Sequence, residues 1–260
     1  MINDSKVSLV IDSTSRYSDA WPMFFGQLSK YFPSEIKKNL FTDKVPENFT
    51  FLTEDIQEIN YSNNDSYRNQ MVGCLSQINT EYIIYTSEDY ILYDYFRVEK
   101  LSELTRVLDE DTELSFIKFI KGPEQTSPYK DSRFLHLINP NDANFFAQQA
   151  SIWKTKDFLS IFKACPSAYG RMEVEPRGSD ICRKININKG VQYFEGSEEK
   201  KGLCHWSSNV FPIITTAITK GKWNVAEYET ELLQLAQEYK IDLSIRGTNA
   251  PSYMDYIIKV

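Results

Sequence analysis

The chain has 260 residues, and its 36 acidic and 29 basic side chains give a formal net charge of -7 at pH 7. That charge argues against a nucleic-acid partner, because non-specific binding to nucleic acid depends on neutralising phosphates. The hydrophobic fraction of 42% is that of a folded protein, no apolar run is long enough to span a bilayer, and the four cysteines form no C-x-x-C pair. We therefore expect a soluble, cytoplasmic protein with reduced thiols.

The first half of the chain alternates short apolar runs with amphipathic stretches. This alternation predicts strands that are followed by helices. The predicted strands cover residues 7–11, 39–43 and 82–86, and the predicted helices begin at Ser18 or Asp19 and at Asp65 or Ser66, the second ending near residue 77.

The second half is less uniform. The patterns predict a helix over 98–108, a strand over 114–120, a hairpin whose strands 134–138 and 145–149 flank the turn 139–142, helices over 155–164 and 225–239, and an irregular segment over 166–201. Together these elements predict a three-layer α/β/α domain with a mixed, mostly parallel central sheet.

Two adjacent carboxylates, Glu88 and Asp89, follow the apolar strand 82–86. Open α/β sheets bind their ligands at the carboxyl ends of strands. Adjacent carboxylates repel one another unless a cation, a donor or water compensates them. We interpret the pair as the site of a divalent cation that bridges a diphosphate; the alternative is an exposed acidic turn.

Several segments, in this order, resemble the GT-A-type glycosyltransferases, within a bacterial and viral group of nucleotide-sugar transferases. The segments are RYSDAWPMFF (16–25), YFP (31–33), LSQINTEYIIY (75–85), EDYIL (88–92), QQASIWK (148–154), MEVE (172–175) with GS (178–179), and more weakly GKWN (221–224). The resemblance implies a GT-A fold, a nucleoside-diphosphate-sugar donor and Mn²⁺ or Mg²⁺. It also implies one domain over 1–260, with a nucleotide-sugar-binding half (1–125), an acceptor-binding half (126–224) and a C-terminal helix and tail (225–260).

The metal motif departs from the family pattern, which has acids two positions apart. Ser87 stands at the first such position, so that Glu88 and Asp89 are neighbours. Neighbours on a strand point to opposite faces. We therefore predict that Asp89 binds the metal, directly or through water, and that Glu88 orients the ribose or the water shell of the metal. The resemblance suggests His205 as a third ligand, with a packed histidine beside Trp206 as the alternative.

Candidate donor-binding residues follow the first two strands. Ser13, Thr14 and Arg16 lie in the loop after the first strand and would meet the nucleotide and its diphosphate, unless the loop merely caps a helix. Asp43 could accept from a base or ribose, and Arg68 could reach a phosphate; a surface-turn aspartate and a solvated helix arginine are the alternatives.

The general base is predicted in the segment 172–175. Met172 and Val174 give Glu173 and Glu175 apolar surroundings, which raise the pKa of a carboxyl group toward that of a useful base. We rank Glu175 first, Glu173 second and Asp180 third. Glu173 and Glu175 would share a face if the segment were extended.

The sequence thus predicts a glycosyltransferase that moves a sugar from a nucleoside diphosphate to a glycan, lipid or small hydroxyl acceptor, with inversion, as in polysaccharide biosynthesis. Gln148, Gln149 and Trp153 are candidates to line the acceptor site, with core packing as the alternative for Trp153. The competing hypothesis is a non-catalytic protein of the same fold that binds sugar nucleotides or carbohydrate.

Overall fold

The computed structural model describes residues 6–52, 55–122, 126–201 and 205–248. Its central sheet has nine strands, and further short strands pair outside it. The sheet strands are β1 (Val7–Asp12), β2 (Lys37–Thr42), β3 (Ile56–Asn60), β4 (Tyr82–Ser87), β6 (Phe116–Lys118), β7 (Thr126–Pro128), β8 (Leu135–Ile138), β9 (Ser151–Lys154) and β10 (Gly190–Tyr193). The short strands are β5 (Ile91–Leu92), β11 (Lys200–Lys201), β12 (His205–Trp206), β13 (Ile213–Ile214), β14 (Ile218–Thr219) and β15 (Lys222–Trp223).

The helices are α1 (Trp21–Tyr31), α2 (Tyr67–Leu75), α3 (Val98–Glu110), α4 (Thr155–Ala164), α5 (Arg171–Lys184), α6 (Val225–Tyr239) and α7 (Leu243–Arg246), with a 3₁₀ turn over Ser15–Tyr17. Among the described residues, no helix has the length and apolar character that crossing a bilayer requires.

The sheet order is β3-β2-β1-β4-β9-β6-β10-β8-β7. Strands β9 and β8 run antiparallel to both of their neighbours, and every other pairing is parallel. The other seven of the nine strands therefore run in one direction, which confirms the predicted mixed, mostly parallel sheet.

Helices cover both faces of this sheet. Residues on one face of β1 and β4, such as Leu9 and Ile84, pack with α1, α3 and α6, whereas their neighbours Val10 and Ile83 pack with α2, α4 and α5. Successive side chains of a strand alternate between faces, so that a strand buried on both sides has an apolar residue at nearly every position. The three-layer architecture is therefore confirmed.

Two sequence predictions about local structure are wrong. Residues 145–149 form no strand, and β8 pairs with β7 and β10 instead. Phe145 and Phe146 are neighbours and are both buried, which the alternation of a half-exposed hairpin strand would not allow. The segment 166–201, predicted as irregular, contains the helix α5 and the strand β10.

Helix α5 forms against its own local preference. Pro176 lies inside it and lacks the backbone N–H that a helix interior uses, and Gly178 is a poor helix former. Packing compensates, because Val174 and Cys182 are fully buried. The ring of Phe146 lies so close to Gly178 that a Cβ there would be 2.1 Å from Phe146 Cδ1, so that only glycine allows this approach.

The sheet interleaves the predicted halves of the chain, because β9, from the predicted acceptor-binding half, lies between β4 and β6. The division at residue 125 stays a prediction. The helical part of the predicted C-terminal segment is α6, and the tail 253–260 lies outside the described residues.

Candidate functional site

Polar side chains gather where β1 and β4 end. Asp12 is the last residue of β1, its partner across the parallel ladder is Ser87, and Glu88 and Asp89 form the turn that follows. The first turns of α5 bring Arg171 and Glu175 to the same place. We call this group the carboxyl-edge cluster, and its members are Asp12, Tyr67, Tyr85, Glu88, Asp89, Gln148, Arg171 and Glu175.

Asp12 is the centre of a hydrogen-bond network. Its Oδ2 accepts from the hydroxyls of Tyr67 (2.9 Å) and Tyr85 (3.0 Å), and its Oδ1 accepts from Nη2 of Arg171 (2.7 Å). The side chain is 1% exposed. A buried carboxylate needs such donors to offset its desolvation, and here two hydroxyls and a guanidinium provide them.

Gln148 links this network to the predicted base. Its Nε2 donates to the hydroxyls of Tyr67 (2.5 Å) and Tyr85 (3.3 Å), and its backbone N–H donates to Oε1 of Glu175 (3.2 Å). Glu175 and Arg171 are four residues apart on α5 and so lie on one face of that helix. The contacts therefore form a closed ring that joins β1, β4, α2, α5 and the loop before β9.

Glu88 has a buried oxygen without a partner. The residue is 5% exposed, and its Oε2 has no hydrogen-bond partner among the described residues. Burial and the adjacent Asp89 carboxylate raise the pKa of Glu88 above its ordinary value, against the opposing effect of Arg171. The hydroxyl of Ser87 donates to Oδ1 of Asp89 at 2.6 Å. The acid pair thus lies next to the protein interior, and Glu88 is only partly compensated.

Glu175 has the electrostatic character expected of a base. The residue is exposed, but the protein atoms around its carboxyl group desolvate it in part, which raises its pKa; the N–H of Gln148 lowers the pKa, and the Asp89 carboxylate raises it. The influence of Asp89 means that the two carboxylates lie within electrostatic reach of each other. A carboxylate with a raised pKa, an arginine and an acid pair can together accept a proton and bind an anion or a cation.

The loop after β1 is organised by Asp43, which directly follows β2. The Asp43 carboxylate accepts from the backbone N–H and hydroxyl of Ser15 (both 2.7 Å), from the hydroxyl of Thr14 (3.2 Å) and from Nδ2 of Asn63 (3.0 Å). Burial alone would raise the pKa of Asp43, but the Ser15 and Asn63 hydrogen bonds hold it below its usual range. Asp43 therefore fixes the shape of this loop.

The other predicted donor residues of this loop differ in exposure. Ser13 is buried, accepts from Nε1 of Trp21 (2.8 Å), and its hydroxyl lowers the pKa of Glu88, so that it lies beside the acid pair. Arg16 is exposed in the 3₁₀ turn.

Four of the remaining predicted residues are not members of the carboxyl-edge cluster. Arg68 donates to the carbonyl of Lys163 (3.0 Å) at the end of α4, and Asp180 pairs with Arg183. Glu173 is exposed, and because the segment is helical and not extended, it does not share a face with Glu175. His205 lies in β12, and its side chain lies outside the described part of the structure. Trp153 is fully buried and stacks on Phe116, which confirms the core alternative.

The acid pair offers a metal ion too few protein ligands, so that a bound sugar nucleotide would have to supply further ones. Within the described ranges, no group of three or more His, Cys, Asp or Glu side chains could hold a metal ion. The uncompensated oxygen of Glu88 and the neighbouring Asp89 fit a cation that takes its other ligands from phosphate oxygens and water, as Mg²⁺ commonly does. The metal stays a prediction.

Two cavities lie elsewhere. One, of about 460 Å³, is lined by Tyr82, Lys154 and Thr155 among others, at the opposite end of β4 from the acid pair. The other, of about 200 Å³, lies between Tyr93, Lys201 and Tyr228. Neither is lined by Glu88 or Asp89.

Sequence reasoning missed Asp12, Arg171, Tyr67 and Tyr85. Asp12 had a detectable signal, because it ends the first buried strand just as the acid pair follows another. Arg171 has no such signal, because the sequence pattern around it predicts no regular element. The sequence predicts Gln148 as an acceptor contact, but its structural partners are Tyr67, Tyr85 and Glu175.

Known proteins resemble this chain weakly in fold and not in sequence. No protein-family model and no curated protein matches the sequence. Among solved structures, S. aureus TarS 1-349 matches with a TM-score of 0.47 and 15% identity over 73% of this chain. S. aureus TarS matches with a TM-score of 0.48 and 12% identity over 73% of this chain. The chain spans 58% and 35% of those two structures, and a likeness of this size carries no argument about function.

Proposed function

We propose that the chain is a GT-A-type glycosyltransferase that moves a sugar from a nucleoside diphosphate to a hydroxyl group of a glycan, lipid or small molecule. The observation that carries the proposal is the carboxyl-edge cluster, in which the acid pair after β4 lies within electrostatic reach of a separate carboxylate of raised pKa on α5.

In the proposed reaction, Glu175 takes the proton of the acceptor hydroxyl. The acceptor oxygen then forms a bond to the anomeric carbon of the donor, and the bond between that carbon and the diphosphate oxygen breaks, so that the diphosphate leaves with the electron pair. A single base suffices for this displacement, which inverts the anomeric configuration. Asp89 and Glu88 would hold Mg²⁺ or Mn²⁺, which when bound neutralises charge on the diphosphate.

Binding of the donor is the first test. Sugar nucleotides that bind the native protein must raise its thermal midpoint, because ligands that prefer the folded state stabilise it. We expect at least one sugar nucleotide, in the presence of Mn²⁺, to raise the midpoint. If no sugar nucleotide does so, with or without metal, the proposal fails.

Asp89→Asn tests the role of the acid pair. The substitution removes one charge next to the proposed cation, so that we expect the affinities for Mn²⁺ and for the donor to fall together, by about tenfold or more. Titration calorimetry measures both, and Asp65→Asn, at an exposed loop position, is the matched control. If the variant binds donor and metal as the wild type does, the pair is a structural turn. A protein that binds donors but transfers no sugar to any acceptor would be the non-catalytic alternative.

A further inference from the structure

Arg171 is the one cationic member of the carboxyl-edge cluster. Its side chain is 40% exposed, although it bonds to the buried Asp12. A guanidinium carries five N–H donors. Within the described ranges, its one hydrogen bond is that from Nη2 to Asp12. The remaining donors are therefore available to a ligand at the surface of the cluster.

The orientation of this guanidinium is fixed from two sides. Asp12 holds Nη2 at 2.7 Å and is itself fixed by the hydroxyls of Tyr67 and Tyr85. The Arg171 Cζ also lies 5.1 Å from the centre of the Tyr67 ring. An arginine held in this way has already lost much of its side-chain freedom. Ligand binding would therefore cause little further loss of conformational entropy in this side chain.

The charges around Arg171 make it the group to which an anionic ligand would bind. Asp12, Glu88, Asp89 and Glu175 bring four carboxyl groups to this place, and an anionic ligand needs a positive group among them. The planar fork of an arginine matches two phosphate oxygens at once. If Arg171 served only to neutralise Asp12, its exposed surface would have no ligand and its loss would affect stability alone.

We propose that Arg171 is a binding residue for the diphosphate of the donor and that Asp12 is the residue that positions it. The inference rests on the proposed function and deepens it, because it assigns to a side chain part of the charge neutralisation that the sequence assigned to a metal. Arg171 takes the role that the sequence gave to Arg16 and Arg68.

The test measures binding of inorganic pyrophosphate and of the best sugar nucleotide by titration calorimetry, each with and without Mn²⁺. Arg171→Met should weaken both ligands by about tenfold or more, and Arg171→Lys should weaken them less, because it keeps the charge but loses the fork. Asp12→Asn should lower affinity by a smaller factor than Arg171→Met. Arg177→Met, on the same helix and exposed, is the matched control and should bind as the wild type does.

The outcomes separate this inference from the proposed function. If the wild type binds a sugar nucleotide and Arg171→Met binds it equally well, the inference is overturned and the proposed function stands. If the wild type binds pyrophosphate through Arg171 but binds no sugar nucleotide, the proposed function fails, and only the assignment of Arg171 as a pyrophosphate-binding residue stands. If the wild type binds no pyrophosphate at millimolar concentration, the inference is overturned. Far-ultraviolet dichroism and the thermal midpoint establish that each variant is folded.

Discussion

Two buried carboxylates of this protein, Asp111 and Glu88, lie in opposite electrostatic environments. Asp111 precedes β6, and its Oδ2 receives Nζ of Lys189 (2.8 Å) and the hydroxyl of Tyr129 (2.7 Å), while its Oδ1 accepts from the N–H of Glu113 (3.1 Å). Burial alone would raise the pKa of Asp111, but these partners lower it to about 2. Glu88, beyond the other end of the strands, has an oxygen without a partner and a raised pKa.

The difference indicates what each carboxylate is for. A buried acid that is saturated by a lysine, a hydroxyl and an amide stabilises the fold and has little left for a ligand. A buried acid with an orphaned oxygen costs stability, and such costs are found where a ligand or a reaction compensates them. We therefore assign Asp111 to structure, and the contrast supports the proposed functional role of the region around Glu88.

The largest expected effect separates chemistry from stability. Glu175→Gln removes the proposed base while it keeps the size of the side chain, so that transfer should fall by about 10²- to 10⁴-fold. Donor affinity and the thermal midpoint should stay near those of the wild type. A sugar-transfer assay with the donor found in the binding screen measures the rate.

Glu173→Gln is the control for this substitution, since Glu173 is exposed two residues away on the same helix. It should leave the rate unchanged. Equal transfer by the wild type and by Glu175→Gln would place the base elsewhere and would weaken the functional side of the comparison.

Asp111→Asn should show the reverse pattern. It weakens the contacts to Lys189 and Tyr129 and should lower the free energy of unfolding by about 1–3 kcal/mol, with donor binding unchanged. Urea denaturation at neutral pH measures the loss, and Asp131→Asn, at an exposed position, should cost almost nothing. If Asp111→Asn were as stable as the wild type, the contacts of Asp111 would not contribute to the stability of the fold.

The same residue gives a dependence on pH. Asp111 has a pKa of about 2 when folded and about 3.9 when unfolded, so that the unfolded state binds the proton more readily. Its contribution is fully present above the unfolded pKa and is lost as pH falls through the folded pKa. The difference in stability between wild type and Asp111→Asn should therefore shrink between about pH 4 and pH 2. A constant difference across that range would contradict the assignment.

The smallest expected effect is a gain. Above about pH 8, where the Glu88 carboxyl group is charged, Glu88→Gln replaces an incompletely compensated carboxylate by a neutral group of the same shape and should raise the free energy of unfolding of the ligand-free protein by about 1 kcal/mol. The same change should weaken donor binding, because stability and function conflict at this position. Glu58→Gln, at an exposed position of β3, is the control. A loss of stability in Glu88→Gln would mean that the carboxylate is well compensated.

The sequence predicts those elements of the fold and site that have a strong local pattern. The strand that precedes the acid pair and the helix α4 have strong periodicity, and their positions are correct to within a residue. Helix α5 was missed because Pro176 and Gly178 contradict a helix locally, and burial of Val174 and Cys182 decides the structure. Arg171 was missed with it. Its partner Asp12 is 159 positions away in sequence, and no local pattern reports such a contact.

The close approach of Gly178 to Phe146 restricts how positions 146 and 178 can vary in evolution. Any descendant that acquires a larger side chain at position 178 must reduce the ring at 146 or shift α5 away from the loop that carries Gln148. A shift of that kind would carry Arg171 and Glu175 along as one unit. Substitutions at 146 and 178 should therefore co-vary among related sequences, even though neither residue bears a group that could react.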